Sequence, residues 1–146
     1  MDLKIRRMEP EDAVGVSEIE SQVFSEPWTC QGFLDTLAGG QAIFMVAEAD
    51  QKIVGYCGMY CALDEGEITN VAVDPMYRRN GIGEKLMSAI LAEGKEAGIA
   101  LVILEVRVSN EPAIQLYEKF GFSIQGVRRG FYEKPKEDGY VMTLSQ

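Results

Sequence analysis

Apolar and charged residues alternate over Leu3–Met8, "LKIRRM", the pattern of a strand with one buried face. In "EPEDAVGVSEIESQVF", Val14, Ile19 and Val23 recur at near-helical spacing behind Pro10 and a run of acids, which predicts a first helix. "SEPW" (Ser25–Trp28) is turn chemistry. Thr29 can cap a short helix through Leu37 that Gly39-Gly40 ends. Two apolar runs, Ile43–Ala47 and Lys52–Ala62, read as strands joined by a turn at Ala49–Gln51, and "DEGE" (Asp64–Glu67) reads as a turn before a strand over Ile68–Val73. Asp74-Pro75 stops that strand. Ile82, Leu86, Met87, Ile90, Leu91 and Ala97 then mark one face of a helix that Gly98 closes. "LVILEVRV" (Leu101–Val108) is a strand. "SNEPAIQLYEKFGF" is a short helix with a cap signal at Ser109-Asn110, Pro112 in its first turn and Gly121 after it. Strands near Ser123–Arg128 and Tyr140–Leu144 complete the order β-α-α-β-β-β-α-β-α-β-β. This is a mixed α/β domain whose strand–helix–strand unit over Ile68–Val108 is expected to be parallel and right-handed.

The 146 residues suit one domain, 1–146, able to bury roughly two thirds of its unfolded surface without staples. Hydrophobic residues at 47% and charged residues at 25% are ordinary for a soluble chain. There is no signal-peptide pattern and no apolar run long enough for a membrane span. Three cysteines make no disulfide framework, and Cys57 and Cys61 lie in an apolar run, so buried thiols and a cytoplasmic setting are expected. The absence of histidine removes the usual zinc patterns, and no metal is expected. A net charge of −9 argues against nucleic acid and favours basic partners, although acidity also serves solubility alone.

The most informative stretch is "NVAVDPMYRRNGIGEKLM", where Gly81 and Gly83 follow Arg78, Arg79 and Asn80 at the mouth of a helix. Unpaired N–H groups and a partial positive charge make such a mouth an anion site where glycine lets a ligand approach. It is neither a P-loop, lacking Gly-Lys-Ser/Thr, nor a dinucleotide fingerprint, since position 86 is Leu. An ordinary loop-to-helix junction remains the alternative.

The same stretch resembles motif A of the GNAT acetyltransferases, Arg/Gln-x-x-Gly-x-Gly/Ala, with Arg78, Gly81 and Gly83 in the three places. "LEVRVSNEPAIQLYEKFGF" resembles motif B of that family, and order and spacing agree over nearly the whole chain. The resemblance implies the GNAT fold, a mixed central sheet flanked by helices with the parallel β-α-β unit around an acetyl-CoA site. It implies that the loop and helix start (Arg78, Arg79, Asn80, Gly81, Ile82, Gly83, Glu84) hold the pyrophosphate, that the backbone of Val71, Ala72 and Val73 pairs with the pantetheine arm, and that Asn110 also contacts acetyl-CoA. Pro27-Trp28, "LEVRVSN", "AIQLYEKFGF" and "RRGFY" narrow the likeness to the RimI-type branch, which acetylates the N-terminal alanine of a small-subunit ribosomal protein. That branch usually has two tyrosines where this chain has Phe131-Tyr132.

Moving an acetyl group from a thioester to an amine requires a neutral amine, a stabilised oxyanion and a protonated leaving thiolate. Glu105 shares a strand face with Leu101 and Ile103, where a lone carboxylate is costly to bury. By register alone it is equally a salt-bridge partner of Arg107. The resemblance assigns it as the base, with Glu67 as the rival. Tyr117, three residues from Ile114 and Phe120, reads as a core aromatic or, by resemblance, as the acid. Asn110 can cap a helix through its oxygen and still offer its N–H₂ group. A backbone N–H near Val73 is the expected oxyanion donor. Pro27, Trp28 and Tyr132 are candidate walls of a peptide groove or ordinary packing.

An α-amine titrates near ~7.7–8.0 and a lysine near ~10.4, so presenting neutral lysine at neutral pH requires roughly 3.5 kcal/mol more. That suits an α-amine without excluding lysine, and the resemblance implies acetyl transfer to a protein N-terminal α-amine, on a ribosomal protein that the acidic charge would favour as basic. Attack is expected to be direct, in a ternary complex, because no cysteine sits where an acyl carrier would. The alternatives are a lysine or polyamine acetyltransferase and a non-catalytic acyl-CoA-binding module. The expected state is a monomer or weak dimer.

Overall fold

In the computed structural model, which describes residues 2–146, seven strands form one sheet in the order β1-β2-β3-β4-β5-β7-β6. The strands are β1 (Leu3–Arg7), β2 (Ala42–Ala49), β3 (Lys52–Ala62), β4 (Glu65–Val73), β5 (Leu101–Arg107), β6 (Ser123–Glu133) and β7 (Lys136–Ser145). The helices are α1 (Ala13–Val23), α2 (Cys30–Gly39), α3 (Ile82–Glu96) and α4 (Glu111–Lys119). All neighbouring strands are antiparallel except β4 and β5, which are parallel and bracket α3.

Each face of the sheet carries its own core. Ile82, Leu86, Met87 and Ile90 of α3, with Ile114 and Tyr117 of α4, pack on Met45, Cys57, Met59, Val102 and Leu104. Ala13, Val16 and Ile19 of α1, with Phe33 of α2, cover Phe44, Val46, Tyr56 and Ala72 on the other face. Phe33 meets both Phe44 and Tyr56 edge to face, at 5.9 and 5.6 Å between ring centroids.

The predicted element order is the observed one, with four local differences. The first helix starts at Ala13 after a 3-10 turn at Pro10–Asp12, so its buried stripe is Ala13, Val16, Ile19 and Glu20, and Val14 is 60% exposed. Strand β4 begins at Glu65, inside the predicted turn, because its outward face is polar (Glu65, Glu67, Thr69) while Gly66 and Ile68 are buried. The last two strands are much longer than the apolar pattern suggested and form a hairpin over Ser123–Ser145. Cys57 is buried, whereas Cys61 is only partly so. Thr29 caps α2 by accepting the Gly32 N–H at 3.0 Å, and Gly40 ends it at φ +75°.

Candidate active site

The site originates in a fault in the sheet. Strands β4 and β5 stay in parallel register only from Glu65↔Leu101 to Ile68↔Leu104. Directly beyond, the β3–β4 pairing jumps from Met59↔Ile68 to Gly58↔Asn70, so Thr69 is an extra residue on β4. Such a bulge bends its strand and reverses the side-chain alternation. Ile68 faces the α3 core, while Asn70 and Ala72 face the α1–α2 side. Past the bulge β4 stays with β3 while β5 continues with β7. The two parallel strands therefore splay, and alternate backbone N–H and C=O groups of 70–73 point into a wedge with no strand to answer them.

That wedge opens into a cleft of about 790 Å³. Ile68–Val71 of β4 and Leu104–Arg107 of β5 form its floor. Asn110 and Tyr117 line one side, and Val23–Glu26 and Phe131–Pro135 line the other. Glu105 and Tyr117 thus share one cavity, as do Asn110 and Tyr132. Burial and the nearby Glu67 raise the Glu105 pKa above the ordinary carboxylate range, with Arg128 opposing. Glu67 itself does not line the cleft. The Tyr117 phenol is pushed well up, chiefly by burial, so it keeps its proton at neutral pH. The Tyr132 phenol is raised by burial and by Glu105. The ion pair considered between Glu105 and Arg107 does not form. Arg107 turns to Glu137 at 3.2 Å and to the carbonyl oxygens of Pro135 and Lys134 at 2.8 and 3.1 Å. Among the described residues Glu105 has no ion-pair partner.

The helix mouth lies beside the wedge. Gly81 holds φ +72° as the N-cap of α3, a Cβ there would meet nothing within 4 Å, and one on Gly83 would come no nearer than 4.0 Å to Leu116 and Val73. The helix mouth is therefore open, and nothing of the protein fills the space beside either glycine. Lys85 N–H is the first to bond back, to Gly81 O at 3.1 Å, so the N–H groups of Ile82, Gly83 and Glu84 have no partner within the helix. Arg78, Arg79 and Asn80 are exposed around them, with the Asn80 amide donating to Tyr77 O at 2.9 Å. The Glu84 carboxylate is drawn aside to Lys119 at 2.9 Å. Asn110 caps α4 through its Oδ1, which accepts Ala113 N–H at 3.3 Å, leaving its amide N–H₂ for the cleft. An open strand edge leading to an uncapped helix mouth suits an extended arm ending in a pyrophosphate.

The sequence model of the acetyltransferase (GNAT) family matches residues 13–122. The chain belongs to the GNAT acetyltransferase family. A GNAT relative, the ribosomal protein bS18-alanine N-acetyltransferase of Escherichia coli (strain K12), is 32% identical over 96% of this chain and 95% of its own length. A candidate enzyme of the same name in Bacillus subtilis (strain 168) is 40% identical over 97% and 94%. Among solved structures, the Escherichia coli ribosomal-protein-S18-alanine N-acetyltransferase superposes with a TM-score of 0.90 at 32% identity, covering 99% of this chain and 94% of that one. Ard1 from Thermoplasma volcanium superposes at 0.88 and 30% identity over 99% and 98%. The GNAT fold and an N-acetyltransferase activity follow.

Within this GNAT domain, not every candidate residue reaches the cleft. Pro27 is exposed outside it, and Trp28 packs on Phe33 at 5.3 Å between ring centroids. The preceding residues, Val23–Glu26, form that wall instead, because the chain folds Trp28 back toward the α1–α2 core. Glu20, Tyr56 and Asn70 also hold the site, and none of them is a candidate from the sequence. Glu20, 1% exposed, accepts from the Tyr56 hydroxyl, from Asn70 Nδ2 at 3.2 Å and from Trp28 N–H at 2.9 Å. One buried carboxylate thus ties the bulged strand to the loop lining the cleft. Its signal was visible: an acid directly after Ile19 on the buried stripe of an amphipathic helix.

Proposed function

We propose that this chain, as a single domain, transfers the acetyl group of acetyl-CoA to the N-terminal α-amine of a protein, of the alanine type borne by a small-subunit ribosomal protein. The observation that carries the reading is the convergence of Glu105, Tyr117 and the open β4 edge on one cleft, with the α3 mouth beside the end of the same strand, where Gly83 neighbours Val73. Full-length relatives named for bS18-alanine N-acetylation support the substrate. Acetyl-CoA supplies the activated acyl group. Val71–Val73 would align its arm by strand-like pairing, and the N–H groups of Ile82, Gly83 and Glu84, with Arg78 and Arg79, would hold its pyrophosphate.

Glu105 then accepts, directly or through water, the proton that the attacking amine loses as its nitrogen bonds to the acyl carbon. A raised pKa suits the task, since a general base works best when its pKa approaches the working pH. A β4 backbone N–H near Val73 faces the developing oxyanion. Tyr117 gives its proton to the sulfur as the carbon–sulfur bond breaks. No cysteine lines the cleft among the described residues, which favours direct attack. Glu105 is favoured over Glu67 because it lines the cleft, while Glu67 acts on it only through charge. On this reading the enzyme works in the cytoplasm, beside its substrate.

The test incubates the protein with acetyl-CoA and three peptides, read by intact mass. One starts with free Ala and has a basic tail, one is N-terminally blocked with an internal Lys, and one has no amine. Only the first is acetylated, and Glu105→Gln abolishes it. Modification of the lysine peptide would instead make this a lysine enzyme.

A further inference from the structure

We propose that Arg107 is a positioning residue: its guanidinium seats Tyr132 and the Lys134–Pro135 turn, and so shapes the wall that faces the acceptor peptide. The proposal rests on the peptide-acetylating reading of the cleft. Arg107 leaves β5 next to the candidate base yet spends its donors on the far hairpin. Nη1 bonds Pro135 O at 2.8 Å and Glu137 Oε1 at 3.2 Å, while Nη2 bonds Lys134 O at 3.1 Å. The second oxygen of Glu137 accepts Ser109 N–H at 2.9 Å, so the same carboxylate also fixes the loop leading to Asn110.

The Tyr132 ring lies over the guanidinium at 4.3 Å, and Phe131 meets that ring edge to face at 5.0 Å. Two further features seat the ring. Gly139, opposite both Arg107 and Arg128 in the sheet, has no side chain, and a Cβ there would stand 3.1 Å from Tyr132 Cε2. The ladder breaks between Arg128 and Tyr132, and Asp138 Oδ1 pins the looped-out backbone by accepting Gly130 N–H at 2.8 Å. Lysine cannot replace this arginine, because one ammonium cannot stack on the ring and serve three separated acceptors in a planar fork. Holding the guanidinium on the hairpin also keeps a cation from Glu105, which must be free to take a proton.

Arg107→Met, Arg107→Lys and Gly139→Ala are compared with wild type using the free-Ala peptide at saturating acetyl-CoA. Peptide KM rises about tenfold in Arg107→Met and Gly139→Ala, with Arg107→Lys between them and wild type, while kcat and the acetyl-CoA Kd stay within about twofold. Amide hydrogen exchange over residues 132–137 accelerates in all three. Unchanged peptide KM, or equal losses for peptide and acetyl-CoA that track a lowered Tm, would overturn the proposal. Gly139→Ala disturbs the same ring without touching the ion pair, so misfolding of an Arg107 variant leaves a second reading. If wild type does not acetylate the peptide, the substrate reading fails. Exchange over 132–137 then decides alone, and unchanged rates in Arg107→Met refute the role.

Discussion

Replacing Glu20 by Ala strips the acceptor from three donors at once. The Tyr56 hydroxyl, Asn70 Nδ2 and Trp28 N–H all converge on the one carboxylate, and Glu20 and Tyr56 are almost wholly buried. A donor left unsatisfied in a core costs about 1–3 kcal/mol, so three amount to roughly 3–6 kcal/mol after partial relaxation. That is a large share of the ~5–15 kcal/mol that holds a domain folded. Glu20→Gln keeps the shape but turns one oxygen into a donor facing another donor, for a loss of about 1–3 kcal/mol. Urea titration reads the effect. At an m-value of ~1–3 kcal/mol/M, Glu20→Ala lowers the midpoint by at least about 1 M without changing the slope. Removing the Tyr56 hydroxyl in the Glu20→Ala background then costs little, because that donor has already lost its partner. A Glu20→Ala protein within about 0.5 kcal/mol of wild type would refute the reasoning.

Three other outcomes are expected. Because Glu105 works as a carboxylate, kcat falls as pH drops through its raised pKa, so the acid limb lies above the ordinary carboxylate range; Glu67→Gln removes a charge that raises that pKa and moves the limb to lower pH in a kcat–pH profile. Tyr117→Phe lowers kcat by about 10² or more with acetyl-CoA binding intact by calorimetry, since it deletes a proton donor and little packing. Gly83→Ala raises the acetyl-CoA KM while leaving the urea midpoint equal or higher: the new methyl meets no protein atom nearer than 4.0 Å, and alanine is a better helix former than glycine even in the first turn.

What the sequence carries plainly is what depends on neighbours along the chain. Thr29, Asn110, Gly40 and Gly81 act at helix ends through bonds and dihedrals spanning three or four residues, and all were readable as caps or helix mouths. The long β6–β7 hairpin was not, because Arg128–Gly130 and Lys134–Gly139 are charged and glycine-rich; β6 is an edge strand, which needs few apolar residues, and the start of β7 before Gly139 runs past the end of β5. The cleft was also hidden. It depends on an extra residue at Thr69, which matters only once β4 is laid against β3 and β5. Arg107 sits two residues from Glu105, so local register offered an ion pair. Its true partners lie 27 to 30 residues downstream, beyond the reach of periodicity.

The short β4–β5 register has a mechanical meaning. Seven strands are in effect two smaller sheets sewn together by four residue pairs, with the fabric left open below the last stitch. A ligand that lies along that opening is a thread as well as a reactant, because it closes a ladder the protein leaves unfinished. Resistance of the seam to being pulled apart, and the time each molecule spends with its ligand in place, therefore rise and fall together.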